Sequence, residues 1–174
     1  MNSDFERNLI MKKLLGLVFL FLSLSGVIYA DYPDYLYDNL SYRRIYAHMG
    51  GASYLDTTSV VLKKIDHDGI IFAQNQIGVE FNRDITEIKE VRAPHTVWFY
   101  KPWNPQKMGM TAINIDGHEM ILPPYVGSDV AYVSYDNGNN WRPFYISNTY
   151  GYNMSTRMAF LLGYQTATGQ SYFR

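Results

Sequence analysis

The chain has 174 residues, with 15 lysines and arginines against 16 aspartates and glutamates, and no cysteine. A net charge of −1 argues against nucleic-acid binding through a basic face. The missing thiols exclude a disulfide scaffold, a thiolate zinc site, a cysteine nucleophile and a lipid-modified cysteine anchor. An apolar share of 47% with 18% charged residues belongs to a folded globular domain.

The first thirty residues have the parts of a secretory signal peptide. Met11-Lys12-Lys13 is a basic start, Leu14–Leu24 is apolar apart from Gly16 and Ser23, and Ala30 is a small residue before the polar Asp31-Tyr32-Pro33-Asp34. The acidic stretch Met1–Ile10 suits no such segment, so Met11 is the expected first residue. An apolar run of about eleven residues falls short of the roughly 18 that cross a bilayer. An uncleaved anchor is the alternative; cleavage after Ala30 leaves no stable membrane span. The expected destination is the periplasm, the cell surface or the medium. Residues 31–174 are then one β-rich domain, and all but one of the sixteen tyrosines fall in it.

Along that domain, Asp31–Leu40 reads as an extended leader that ties down late. Tyr42–Met49 is strand-like and ends at the turn signal Gly50-Gly51; Ala52–Asp56 and Val60–Ile65 follow as two further runs. Asp66-His67-Asp68-Gly69 before Ile70–Ala73 is a hairpin cue, with Gly69 expected at positive φ. Ile85–Val91 alternates apolar and charged residues, which fits a strand with one wet face or a short helix. Thr96–Tyr100 is a clearer strand, stopped by Lys101-Pro102. Met110–Ile115, Asp116-Gly117 and His118–Leu122 form a two-residue hairpin that sets Ile115 opposite His118 and Ile113 opposite Met120. Val130–Tyr135 and Trp141–Ile146 make the last hairpin.

One helix closes the chain. Asn153 is placed to cap it and Gly169 to end it. Met154, Met158, Leu161, Leu162 and Gln165 form a stripe at helical spacing, flanked by Phe160, Tyr164 and Ala167. Gly163, inside that stripe, is expected to face the sheet and permit close approach. The fold class is α+β: seven to nine antiparallel strands in several hairpins, with a C-terminal helix packed on the sheet.

Ser134, Asp136, Gly138 and Trp141 fit S-x-D-x-G-x-x-W, the spacing of the Asp-box. It resembles the hairpins that recur in sialidases, where the motif is peripheral to catalysis. In a single copy it reads as a structural turn: the carboxylate accepts backbone N–H bonds and Trp141 folds over the loop. Four histidines (His48, His67, His95 and His118) show no i, i+4 pairing and no short ligand motif, so no metal ligand is expected. No nucleophile elbow supports a catalytic triad, and Gly50-Gly51 lacks the pattern and the helix of a phosphate cradle. No catalytic or cofactor-binding residue is assigned. Trp98, Tyr100 and Trp103, around Pro102, are the densest aromatic patch and a candidate binding surface; alternation puts Trp98 and Tyr100 on one face with Phe99 opposite. Core and loop packing is the favoured reading of the same residues.

Tyr42–Asp66, YRRIYAHMGGASYLDTTSVVLKKID, resembles the opening of the surface-adhesin protein E-like domains. The resemblance rests on a strand followed by the aromatic-x-Asp-x-x-Ser stretch Tyr54-Leu55-Asp56-Thr57-Thr58-Ser59. Val130–Ile146, ending in DNGNNWRPFYI, and the closing helix fit the same layout. The family's cysteine pair, present in some members, is missing here. The resemblance implies an exported bacterial surface protein without enzymatic activity. The expected function is non-enzymatic binding of a protein or glycan at the cell envelope, with no nucleic acid and no cofactor. The alternative is a small exported hydrolase acting on cell-wall or glycan polymer, with His95 near the Trp98–Trp103 patch.

Overall fold

Nine antiparallel strands and one helix follow one another in a computed structural model that describes residues 31–149 and 153–173. The expected signal segment, residues 1–30, lies outside the described residues. Strands β1 (Tyr42–His48), β2 (Gly51–Ile65), β3 (Gly69–Phe81), β5 (His95–Pro102), β8 (Val130–Ser134) and β9 (Arg142–Tyr145) lie side by side in that order. β4 (Ile88–Val91) pairs with the far end of β3, and β6 (Thr111–Ile115) with β7 (His118–Leu122) forms a separate two-stranded sheet. The helix α1 spans Asn153–Thr168.

The β6–β7 hairpin has the register its turn dictates. Asp116 and Gly117 both take positive φ, at 55° and 82°, and Ile113 pairs with Met120 and Ile115 with His118. The β2–β3 turn works differently from the sequence expectation. Gly69 is not at positive φ; it opens β3, and the Asp66 carboxylate closes the turn by accepting from the Asp68 and Gly69 N–H groups at 2.9 and 3.2 Å. Glycine is required there by close approach, because a Cβ would stand 2.7 Å from the Lys101 carbonyl.

The two runs expected around Thr57–Ser59 are one continuous strand. Asp56 pairs with Asn75 and Val61 with Ala73, so four residues of β2 bulge opposite Gln74 alone. One local and two remote contacts pin the bulge: the Ser59 hydroxyl donates to the Asp56 carbonyl and accepts from Asn75 N–H, and Thr57 donates to the Ser41 carbonyl. Past Asp56 the outer edge of β2 has no strand partner among the described residues. This bulge, a second one before Lys64, and the side chains of Lys63 and Lys64 keep that edge from recruiting another strand. β4 is shorter than the alternation over Ile85–Val91 suggests, because Ile85 sits at φ 58° in a turn held by the Asn82 side chain. β5 extends through Lys101-Pro102, where Pro102 pairs with Gly69.

Both faces of the sheet carry a layer. On one face α1 covers Leu55, Phe72, Val97 and Phe99 with Ala159 and Phe160. The helix is rotated from the expected stripe: Ala159, Phe160 and Gly163 are its buried residues, while Met154 and Gln165 are exposed. The small Ala159 and Gly163 let the backbone approach, and Phe160 fills the space among Phe72, Phe99 and Phe144. Asn153 stands as the first helical residue, and Gly169, at φ 70°, ends the helix with its N–H on the Gln165 carbonyl. On the opposite face the β6–β7 hairpin covers Ile71, Ala73, Trp98, Tyr100 and Tyr132. The N-terminal stretch is not a loose leader: the buried Leu36, in a single 3₁₀ turn, packs with Tyr54, Ile77 and Val79 at the other end of that face. No helix among the described residues is long and apolar enough to cross a membrane.

Candidate binding surface

The aromatic patch is not one surface. Trp98 and Tyr100 point together, as alternation requires, but under the β6–β7 hairpin, where they are 8% and 4% exposed. Tyr100 stacks on Tyr132 and meets Trp141 edge-on, and burial pushes its hydroxyl up to about 12. Trp103 stands apart, partly exposed, with its indole N–H on the Asp66 carbonyl at 3.0 Å. Packing accounts for the first two and turn closure for the third.

The Ser134–Trp141 segment is a self-contained hydrogen-bonded loop. The Ser134 hydroxyl donates to Asp136 Oδ1 at 2.7 Å and accepts from Gly138 N–H at 2.9 Å. Asn140 gives its backbone N–H to Oδ1 at 2.9 Å and its side-chain N–H to Oδ2 at 2.6 Å. These donors, the Asn140 side chain foremost, hold the Asp136 carboxyl down at about 2. Gly138 is buried against Met120 of β7, and Trp141 leans on Tyr100. The loop therefore clamps the hairpin to the sheet, with its Ser134, Asp136 and Asn140 side chains engaged within it and the Trp141 indole N–H buried without an acceptor. Asp136→Ala is expected to lower the urea midpoint at pH 7, with the difference from wild type vanishing as pH falls through about 2, where both lack the carboxylate. Equal midpoints at pH 7 would remove this role.

Histidines are scattered among the described residues. His118 lies on β7 and His95 faces the Tyr135 ring at 6.4 Å, its pKa lowered by burial. His67 lies 3.2 Å from Asp68. Asp66, His67 and Asp68 bring ligand-type atoms within 4.8 Å of one another, a cluster the sequence spacing did not suggest. Its carboxylates are already engaged. Asp66 is lowered chiefly by Lys64 at 2.9 Å, and Asp68 chiefly by Asn104 at 2.8 Å, with Lys107 at 3.1 Å. A cation would have to displace two ammonium groups.

What sequence reasoning missed is the uncovered half of the helix-side face. Cross-strand partners share a face, so the pairs Tyr46–Ser53, Ser53–Gly78, His48–Gly51 and Gly51–Glu80 make two rows across β1, β2 and β3. Gly51, Ser53 and Gly78 give this surface a low floor. Tyr46 and His48, their rings 6.3 Å apart, wall one side. Arg92 walls the other, its stem over Gly78 and its guanidinium paired with Glu80. The result is an open dish of 240 Å³ with mixed polar and apolar walls. The only sequence trace is the alternation of small residues in Gly51-Ala52-Ser53, which acquires meaning through the register with β3.

Compared with known proteins, the chain matches no family model, no curated protein and no solved structure.

Proposed function

We propose that this chain is a small exported, non-enzymatic binding module of the bacterial cell envelope, similar in role to the surface-adhesin protein E-like domains. The dish between Tyr46–His48 and Glu80–Arg92 carries the reading. It combines an aromatic wall, a floor without bulky side chains and a mutually neutralised ion pair, which suits a protein loop or a glycan better than an ion. The basic start, short apolar segment and Ala30 support export. A hydrolase is the second reading, because His48 and Glu80 share the dish; Arg92 already holds Glu80, which ill suits that carboxyl to deliver a proton.

Ser53→Trp fills the floor from an exposed face and should leave the melting temperature unchanged. In a pull-down from envelope fractions, the wild-type protein is expected to retain a protein or glycan that Ser53→Trp loses. Equal retention by both would remove the dish from the function. Release of wall or glycan fragments by wild type but not by Glu80→Gln would establish the hydrolase instead.

A further inference from the structure

A second groove, of 180 Å³, runs between the outer strand β1 and α1. Its lining is largely apolar: Ile45 is 5% exposed and buried in the helix-side core, and Leu161, Leu162 and Tyr172 are half-buried against that core. Two neighbouring arginines of β1 line it, on opposite faces of the strand: Arg43 pairs with Leu55 on the helix side and Arg44 with Tyr54 on the other. Arg44 is held by the Asp34 carboxylate at 2.7 Å and by the Tyr32 carbonyl. Arg43 is exposed and has no carboxylate partner among the described residues. An apolar channel with one uncompensated positive charge at its border complements a molecule with one anionic end and one hydrocarbon end.

We propose that this groove binds a single-chain anionic amphiphile, a fatty-acid carboxylate. The Arg43 guanidinium presents parallel N–H donors that match the two carboxylate oxygens. The alkyl chain lies along Ile45, Leu161, Leu162 and Tyr172 and is removed from water there. The site is separate from the dish and does not depend on it.

The test is calorimetric titration of the purified protein with straight-chain carboxylates of increasing length, below their micelle concentrations, beside the matching alcohols. Affinity is expected to rise about fourfold per methylene, the factor that corresponds to about 0.8 kcal/mol per buried CH₂, until the groove is filled. The carboxylate is expected to bind at least tenfold more tightly than the alcohol of equal length. Arg43→Gln, a change at an exposed side chain, should erase that preference and leave the alcohol's affinity unaltered. Three results would overturn the proposal: no saturable binding of any chain length, equal binding of acid and alcohol, or a preference that survives Arg43→Gln. Binding only to vesicles of anionic phospholipid, with none to monomeric carboxylates, would overturn it in favour of a membrane surface.

Discussion

Gly163→Ala is expected to destabilise the protein by about 2 kcal/mol, although alanine is the better helix former by about 1 kcal/mol. A Cβ at Gly163 would collide with the Gln74 side-chain oxygen and stand 2.6 Å from Phe72 Cε2. Both neighbours are buried in the sheet and cannot swing into solvent. Gln74 is further restrained because its amide donates to the Ala159 carbonyl at 3.2 Å. Its oxygen has no N–H or O–H partner, and the glycine backbone occupies the space against it. Gln74→Ala removes the nearer of the two obstructions and leaves Phe72, so Gly163→Ala made in that background should cost less. Urea midpoints of the wild type, the two single variants and the double variant measure this coupling. A higher midpoint for Gly163→Ala alone would mean that the helix does not seat on Gly163.

Lys101 is expected to make stability rise as pH increases from about 8 towards 10.5. Its side chain is 3% exposed on β5, and its ammonium donates to the carbonyls of Pro102 and Val130 at 2.9 and 3.1 Å. Burial pulls its pKa from 10.5 down to about 8, against a smaller opposing pull from Asp129. Between those values the unfolded chain holds a proton that the folded chain has released, so stability increases as pH rises from about 8 towards 10.5. The gain is on the order of 2–3 kcal/mol. Tyrosine acts in the opposite sense at higher pH. Burial pushes Tyr100 and Tyr172 up to about 12, so above pH 10 the unfolded chain loses phenol protons that the fold retains, and stability falls. The wild type should be most stable near pH 10, whereas Lys101→Met should lack the rise that precedes it. Urea midpoints at pH 7.5, 9 and 10 test this; parallel profiles for the two proteins would show that Lys101 keeps an ordinary pKa.

These two sites also mark how far the sequence could be read. Features closed within a few residues were legible: the register across Asp116-Gly117, the Ser134–Trp141 loop, the helix end at Gly169 and the inward Gly163. Features fixed by distant partners were not. The continuity of β2 depends on Ser41 and Asn75 holding its bulge. The rotation of α1 follows Phe160, which packs among Phe72, Phe99 and Phe144 from three separate strands. Trp98 and Tyr100 looked available because nothing local reveals the hairpin that covers them. The dish exists only as a relation among three strands, since Ser53 and Gly78 become neighbours through pairing. Periodicity shows which side of a strand is wet, but two wet strands say nothing of each other until their offset is known.

The strand order has a consequence for how the chain assembles during synthesis. Every pairing joins strands close in sequence, the widest skip being β5 to β8 across the inserted β6–β7 hairpin. Sheet growth can therefore keep step with emergence of the chain from its N-terminal side, without waiting for long loops to close. The helix-side core cannot keep that pace. Phe72, Phe99 and Phe144 are all sealed by Phe160, which follows the last strand. Until it arrives, the growing sheet keeps a bare apolar face, so the nascent chain stays loosely packed almost to its end, and the final segment completes the fold.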